Sequence, residues 1–385
     1  MKRIYISFII ASLWITVYGQ EINDTIRENG LYWGASYIGD AVYNFRGGMK
    51  SAGTYMGMAN FTIDFNTEQA GFWKGGELFL KVAHTHGGKA SETIIGDYQV
   101  ASNIEAGNLT YLQEFWCRQN IGRATVIVGL QDLCVEFLSS ETASLFMNSS
   151  CGVHSTVATN LMVPIFPLTS LGAQFHFNFT SKLTLKLAVF DGIPDDFPNN
   201  KYNLNWRLSK DEGYISFSEI SFKNIAQNAH GYYKLGTYYH NGHSMTTKDE
   251  FGHEMKENRP ANYGFYFVSD QSVFKNQSGR ELSFFTQLSL SPKSINANWF
   301  YIGAGLNYKG LFSKSSDDVF GFACEHSGIN NDIGSETTFE FTYKVPFGES
   351  FFIQPDFQYI INPAGTDSKL NNSMVGFIRV GIQFK

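Results

Sequence analysis

The chain has 385 residues, a formal net charge of -6, and only 17% charged residues beside 16% aromatic ones. An ordinary soluble domain carries about 25% charged residues, so this surface is short of charge. The negative balance argues against a nucleic-acid partner, which would need a basic face.

From the N-terminus, Lys2 and Arg3 precede an apolar stretch over residues 4–17, with Val17 and Gly19 placed before a cut ahead of Gln20. That order predicts a signal peptide over residues 1–19 and leaves residues 20–385 as one barrel domain. After Gln20 no apolar run is long enough for a membrane helix. A membrane location therefore requires a closed barrel, in which every backbone polar group is paired. The cysteines Cys117, Cys134, Cys151 and Cys324 fit no zinc spacing and are too few to staple a chain this long. Whether Cys134 and Cys151 pair or stay free thiols is open.

The recurring signal is period two, in which successive side chains alternate between lipid and lumen. Phe61, Ile63 and Phe65 oppose Asn60, Thr62 and Asp64; then Glu114, Trp116 and Arg118 share one face of residues 108–119. Residues 132–152 lose alternation and are rich in Ser, which predicts a loop folded into a barrel as its constriction. Phe175, Phe177 and Phe179 oppose Gln174, His176 and Asn178, and Thr180-Ser181 makes a short turn before Leu183, Leu185 and Leu187 oppose Thr184 and Lys186. Around residues 214–222 the apolar parity shifts from Ile215 and Phe217 to Ile220 and Phe222, predicting a bulge. Residues 191–211, 240–262 and 362–372 are polar and long enough for external loops.

Near the C-terminus Phe339, Phe341 and Tyr343 oppose Glu340, Thr342 and Lys344, and Phe357 and Tyr359 oppose Asp356 and Gln358. Ile378, Val380, Ile382 and Phe384 then oppose Arg379 and Gln383. Counting from Tyr32 gives about sixteen strands, an all-β transmembrane antiparallel barrel of porin size.

By parity the interior carries Lys81, Arg118, Lys186, Lys234, Lys309, Lys344 and Arg379 against Asp64, Glu114, Glu325, Glu340 and Asp356. A mixed lining suits neutral hydroxyl-rich solutes better than ions of one sign. Pore-lining candidates are Glu114, Trp116, Arg118, Asp132, Lys186, Glu340, Asp356 and Arg379. His84 with His86, and His240 with His243, lack carboxylate or Cys partners at ligand spacing, so no metal, cofactor or catalytic group is expected.

Several segments carry a family resemblance. SNIEA at 102–106, YLQEFW at 111–116, VGLQD at 128–132 and FLSSETASLFMNSS at 137–150 resemble carbohydrate-selective porins of the OprB type. So do VFDGIPDD at 189–196, ISFSEISF at 215–222, YYKLGTYYHNG at 232–242, NYGFYFVSDQ at 262–271, GLNYKGLF at 305–312 and IQPDFQYIINPAGT at 353–366. The resemblance spans nearly all of the mature chain. It implies a sixteen-stranded outer-membrane channel for mono- and oligosaccharides, with a constriction of Arg, Glu and aromatic side chains. Those roles fall on Glu114, Trp116, Arg118, loop residues after Asp132, and Arg379. Small sugars, outer-membrane lipids and the barrel-assembly machinery are the implied partners, with the oligomeric state open. Competing readings are a porin for another small solute, a secreted carbohydrate-binding β protein, and an outer-membrane enzyme with a Ser-His pair on the apolar parity.

Overall fold

The computed structural model describes residues 29–226, 229–248, 254–312 and 317–384; the expected signal peptide lies outside them. The first nine strands are β1 Leu31–Arg46, β2 Gly53–Asn66, β3 Gly76–Gly87, β4 Leu109–Ile121, β5 Ala124–Gln131, β6 Ser170–Asn178, β7 Leu183–Asp191, β8 Tyr214–Ala226 and β9 Ala229–His240. A separate hairpin follows, β10 His243–Lys248 with β11 Glu254–Arg259. The remaining strands are β12 Asn262–Lys275, β13 Glu281–Leu290, β14 Asn298–Lys309, β15 Val319–Ile329, β16 Ser335–Phe347, β17 Phe351–Ile361 and β18 Ser373–Phe384.

Leaving out the β10–β11 hairpin, these strands form one closed sixteen-stranded barrel, sealed where β1 pairs antiparallel with β18. Closure removes the sheet edge that a bilayer would leave unsatisfied. Short connections such as 122–123, 179–182 and 348–350 gather at one end, where the barrel strands also begin and finish. The long ones, over 88–108, 132–169, 192–213, 241–261 and 362–372, gather at the other. By the usual asymmetry of such barrels the short turns face the periplasm.

The outer wall is apolar, as the alternation predicts. Phe115, Phe175, Leu187, Phe341 and Ile378 are exposed, whereas Gln174, Glu340 and Arg379 on the opposite parity are buried. Cys117 and Cys324 also lie on the outward parity, and all four cysteines are free thiols. The bulge expected in residues 214–222 is absent: β8 keeps unbroken register with β7 from Tyr214 to Phe222. Ile215 and Phe217 instead point inward with Glu219 and Ser221. A register shift occurs at Lys81/Val82 between β3 and β4, and it turns both Gln113 and Glu114 inward.

Inward apolar residues exist because the barrel is filled. The loop over 132–169, longer than the 132–152 expected, packs Phe137, Leu138 and Val157 onto Phe190, Ile215, Phe217, Tyr238 and Tyr266. The loop over 88–108 places Ile94, Ile95 and Ile104 against Val375 and Phe377. The two loops also join directly, Asn103 N–H donating to Met147 O at 2.8 Å and Ser149 N–H to Val100 O at 2.9 Å.

Candidate functional site

Wall carboxylates fix the inward loop by accepting its otherwise orphaned backbone N–H groups. Glu340 on β16 accepts from Met147 N at 2.5 Å and Asn148 N at 3.0 Å. Asp270 on β12 accepts from Ser140 Oγ at 2.6 Å and Thr142 N at 3.0 Å. Glu336 accepts from the N–H groups of Tyr98, Gln99 and Ala364, tying two further loops to β16. Lys234 reaches the loop from β9, donating to Ser139 O at 2.6 Å. These anchors lie on β9, β12 and β16, across the barrel from β3 and β4.

Those two strands carry a matched pair of inward rows. Their register sets Glu77 against Arg118, Phe79 against Trp116 and Lys81 against Glu114. Arg118 Nη1 lies 3.1 Å from Glu77 Oε2, and its Nη2 lies 3.1 Å from Glu136 Oε1 of the loop. Lys186 Nζ holds the other Glu136 oxygen at 2.7 Å. Burial acts to raise the Glu136 carboxyl, but Lys186, then His176 and Arg118, outweigh it and hold the group below its ordinary value. The guanidinium of Arg118 sits over the indole of Trp116, 4.7 Å from its centroid, in cation–π contact. On the neighbouring strand Phe79 stacks with that indole at 4.8 Å and 22°. Trp116 Nε1 donates to Glu114 Oε2 at 3.1 Å, and Lys81 Nζ lies 3.6 Å from Glu114 Oε1.

Gly129 lets β5 approach the Trp116 backbone closely. Its φ is +141°, and a Cβ there would fall 2.3 Å from Phe115 O and 3.0 Å from Trp116 Cβ, so the position accepts no side chain.

Of the candidates read from sequence, Glu114, Trp116, Arg118 and Lys186 therefore come together. Asp132, at the start of the loop, lines the same small pocket as Glu114, Trp116, Arg118 and Glu136 and accepts from Cys134 N at 3.1 Å. Glu340, Asp356 and Arg379 also face the interior, buried as Glu114 and Trp116 are, but elsewhere in the wall, where Glu340 and Arg379 bond the inward loops. The sequence did not single out Glu77, Phe79 and Glu136. The signal for the first two was pairwise: with Lys81 they set an acid, an aromatic and a base at alternate positions, complementary to the next strand, whereas Glu136 on the loop had none. Among the described residues no group of three or more His, Cys, Asp or Glu is arranged to hold a metal ion. His84 Nδ1 is instead 2.7 Å from Thr110 Oγ1.

A closed sixteen-stranded barrel with an inward third loop is a porin geometry, and the family model for the carbohydrate-selective porin, OprB family, matches residues 50–384. The chain belongs to that family. This porin is similar to Porin B of Pseudomonas aeruginosa, 22% identical over 93% of this chain and 88% of that protein. The putative porin QuiX of Acinetobacter baylyi is 19% identical over 93% of this chain and 90% of its own length. Among solved structures, the high-pH form of Pseudomonas putida OprB superposes with a TM-score of 0.83 at 20% identity, covering 94% of this chain and 96% of that one. The chain is thus an outer-membrane sugar porin. Family and fold point to a channel, not an enzyme.

Proposed function

We propose that sugars are selected on the β3–β4 rows, with Glu114, Trp116, Arg118 and Lys186 as the selecting residues together with Glu77, Phe79 and Glu136. The observation that carries this is the three-rung pairing of Glu77 with Arg118, Phe79 with Trp116 and Lys81 with Glu114. A sugar presents hydroxyls around its edge and C–H groups on its face. Alternating acids and bases accept and donate to the hydroxyls without a net charge that would favour an ion. Phe79 opens onto a cavity of about 350 Å³ shared with Tyr32, Asn60, Thr62 and Asp64, so its ring is the reachable aromatic face, backed by Trp116.

Flux follows the sugar gradient with no covalent chemistry. Binding is weak, because a site that conducts must also release. Outer-membrane lipids solvate the outward apolar belt.

Single-channel current in a planar bilayer, titrated with glucose and maltose, tests the assignment. Saturable block by both sugars is expected. Arg118→Ala should weaken it about tenfold, the worth of one charge-assisted hydrogen bond. Current steps that neither sugar blocks, or block unchanged in Arg118→Ala and Glu114→Ala, would overturn it.

A further inference from the structure

A second, larger cavity of about 770 Å³ lies under the inward loop at the short-turn end of the barrel, bounded by β7–β9 and β12–β15. Its charge differs from that of the β3–β4 rows, where every charged group has an opposite partner. Lys182 in the β6–β7 turn, Lys223 near the end of β8 and Lys309 at the end of β14 all line it and are exposed. None of the three side-chain amines has an ion pair or hydrogen bond among the described residues.

The acids nearby do not neutralise them. Asp270 is occupied by donors from the loop. Glu281 is paired with Lys275 at 3.1 Å. The lining as a whole sets Lys182, Lys223, Lys275 and Lys309 against Glu141, Asp270 and Glu281, an excess of one amine, with three of the four amines free of any side-chain partner. Between the amines the wall carries the hydroxyls of Ser221 and Ser283 and the amide of Asn307, whose Nδ2 already donates to Thr142 O. Tyr232 adds an aromatic wall, with Lys234 Nζ 5.1 Å from its ring centroid.

We infer that this vestibule is a binding site for acidic sugars, distinct from the constriction and downstream of it. Lysines with no internal partner attract a carboxylate. The excess of amines in a recessed cavity raises the local concentration of anions. The hydroxyl and amide groups then engage the sugar ring, and a cavity of this size accommodates it. The inference rests on the reading of the channel as a sugar pore, and extends its cargo from neutral to anionic carbohydrates.

Full-length porin in planar bilayers, with glucuronate or glucose added on the short-turn side, tests it. Glucuronate is expected to block the wild type roughly tenfold more strongly than glucose at low salt, where exposed charges are least screened. The triple variant Lys182→Gln, Lys223→Gln, Lys309→Gln should bring glucuronate down to the glucose level and leave glucose block unchanged. Replacing the same three lysines by Arg should retain the preference, which separates charge from any folding defect. Equal block by the two sugars in the wild type, or a glucuronate preference that survives the Gln substitutions, would overturn the site. Block by inorganic phosphate matching that by glucuronate would overturn its assignment to sugars. Loss of glucose block alone would count against the constriction, and not against this vestibule.

Discussion

Arg379 on β18 grips Asp40 on β1 with two hydrogen bonds, Nε to Oδ1 at 2.7 Å and Nη2 to Oδ2 at 2.8 Å. The pair sits across the seam that closes the barrel. Asp40 also accepts from Ser102 Oγ, and Arg379 donates to Asn103 Oδ1, so the seam holds the loop over 88–108 as well.

Breaking that pair leaves a buried charge without its partner. Arg379→Ala is expected to destabilise the barrel by about 3–5 kcal/mol. Urea titration of the folded band on unheated gels measures it, and a midpoint equal to the wild type would show that the seam closes without this contact.

The Glu340 clamp makes a separate prediction. In Glu340→Gln a single carbonyl oxygen replaces two acceptors, so one of the Met147 and Asn148 N–H groups loses its partner, at about 1–3 kcal/mol. The inward loop should then fluctuate more. Open-channel current noise and protease cutting within residues 132–169 should both rise. If both stay at wild-type levels, the remaining wall contacts suffice.

Glu105, in the loop over 88–108, gives a pH dependence. Burial, with the Asp97 charge adding, raises its carboxyl from 4.5 to about 7, although N–H groups of Ser91 and Glu92 pull the other way. A raised carboxyl means that the folded loop prefers the protonated form. Its stabilisation is complete below the unfolded value and fades as pH rises through about 7. Proteolysis of residues 88–108 should therefore be faster at pH 8 than at pH 5, beyond the protease's own pH profile. Glu105→Gln should remove the difference, and a variant that keeps it would point to another group.

On the outer wall, Phe341→Lys and Val380→Lys each place a charge on the lipid-facing parity. Such substitutions cost about 2–4 kcal/mol near the bilayer midplane. Refolding yield into vesicles should fall for both. Undiminished yield would mean that the facing of these strands is reversed.

The outward parity was legible in the sequence because lipid imposes one rule on every strand. Phe341, Ile378 and Val380 could be placed with no knowledge of their neighbours. The row of Glu114, Trp116 and Arg118 was legible for the same reason, since three alternate positions on one strand share a face whatever the strand pairs with.

The interior obeys no single rule. Ile215 and Phe217 broke the expected alternation and suggested a bulge, yet they are inward because Phe137 and Val157 arrive from a distant loop to cover them. Glu340 and Arg379 were read as pore-lining from parity alone, which gave no sign that the inward loops would take their hydrogen bonds. The partners of Arg118, Glu77 on the next strand and Glu136 on the loop, depended on a register with a shift at Lys81/Val82.

The sequence by itself thus determined the barrel, its strand number and its outward face, because period-two patterning against lipid is local and repeated. Only the tertiary structure decided which inward charges pair across β3 and β4 and which hold the loops. That division depends on contacts between residues as far apart as Tyr98 and Glu336, where packing and hydrogen-bond satisfaction override any pattern along one strand.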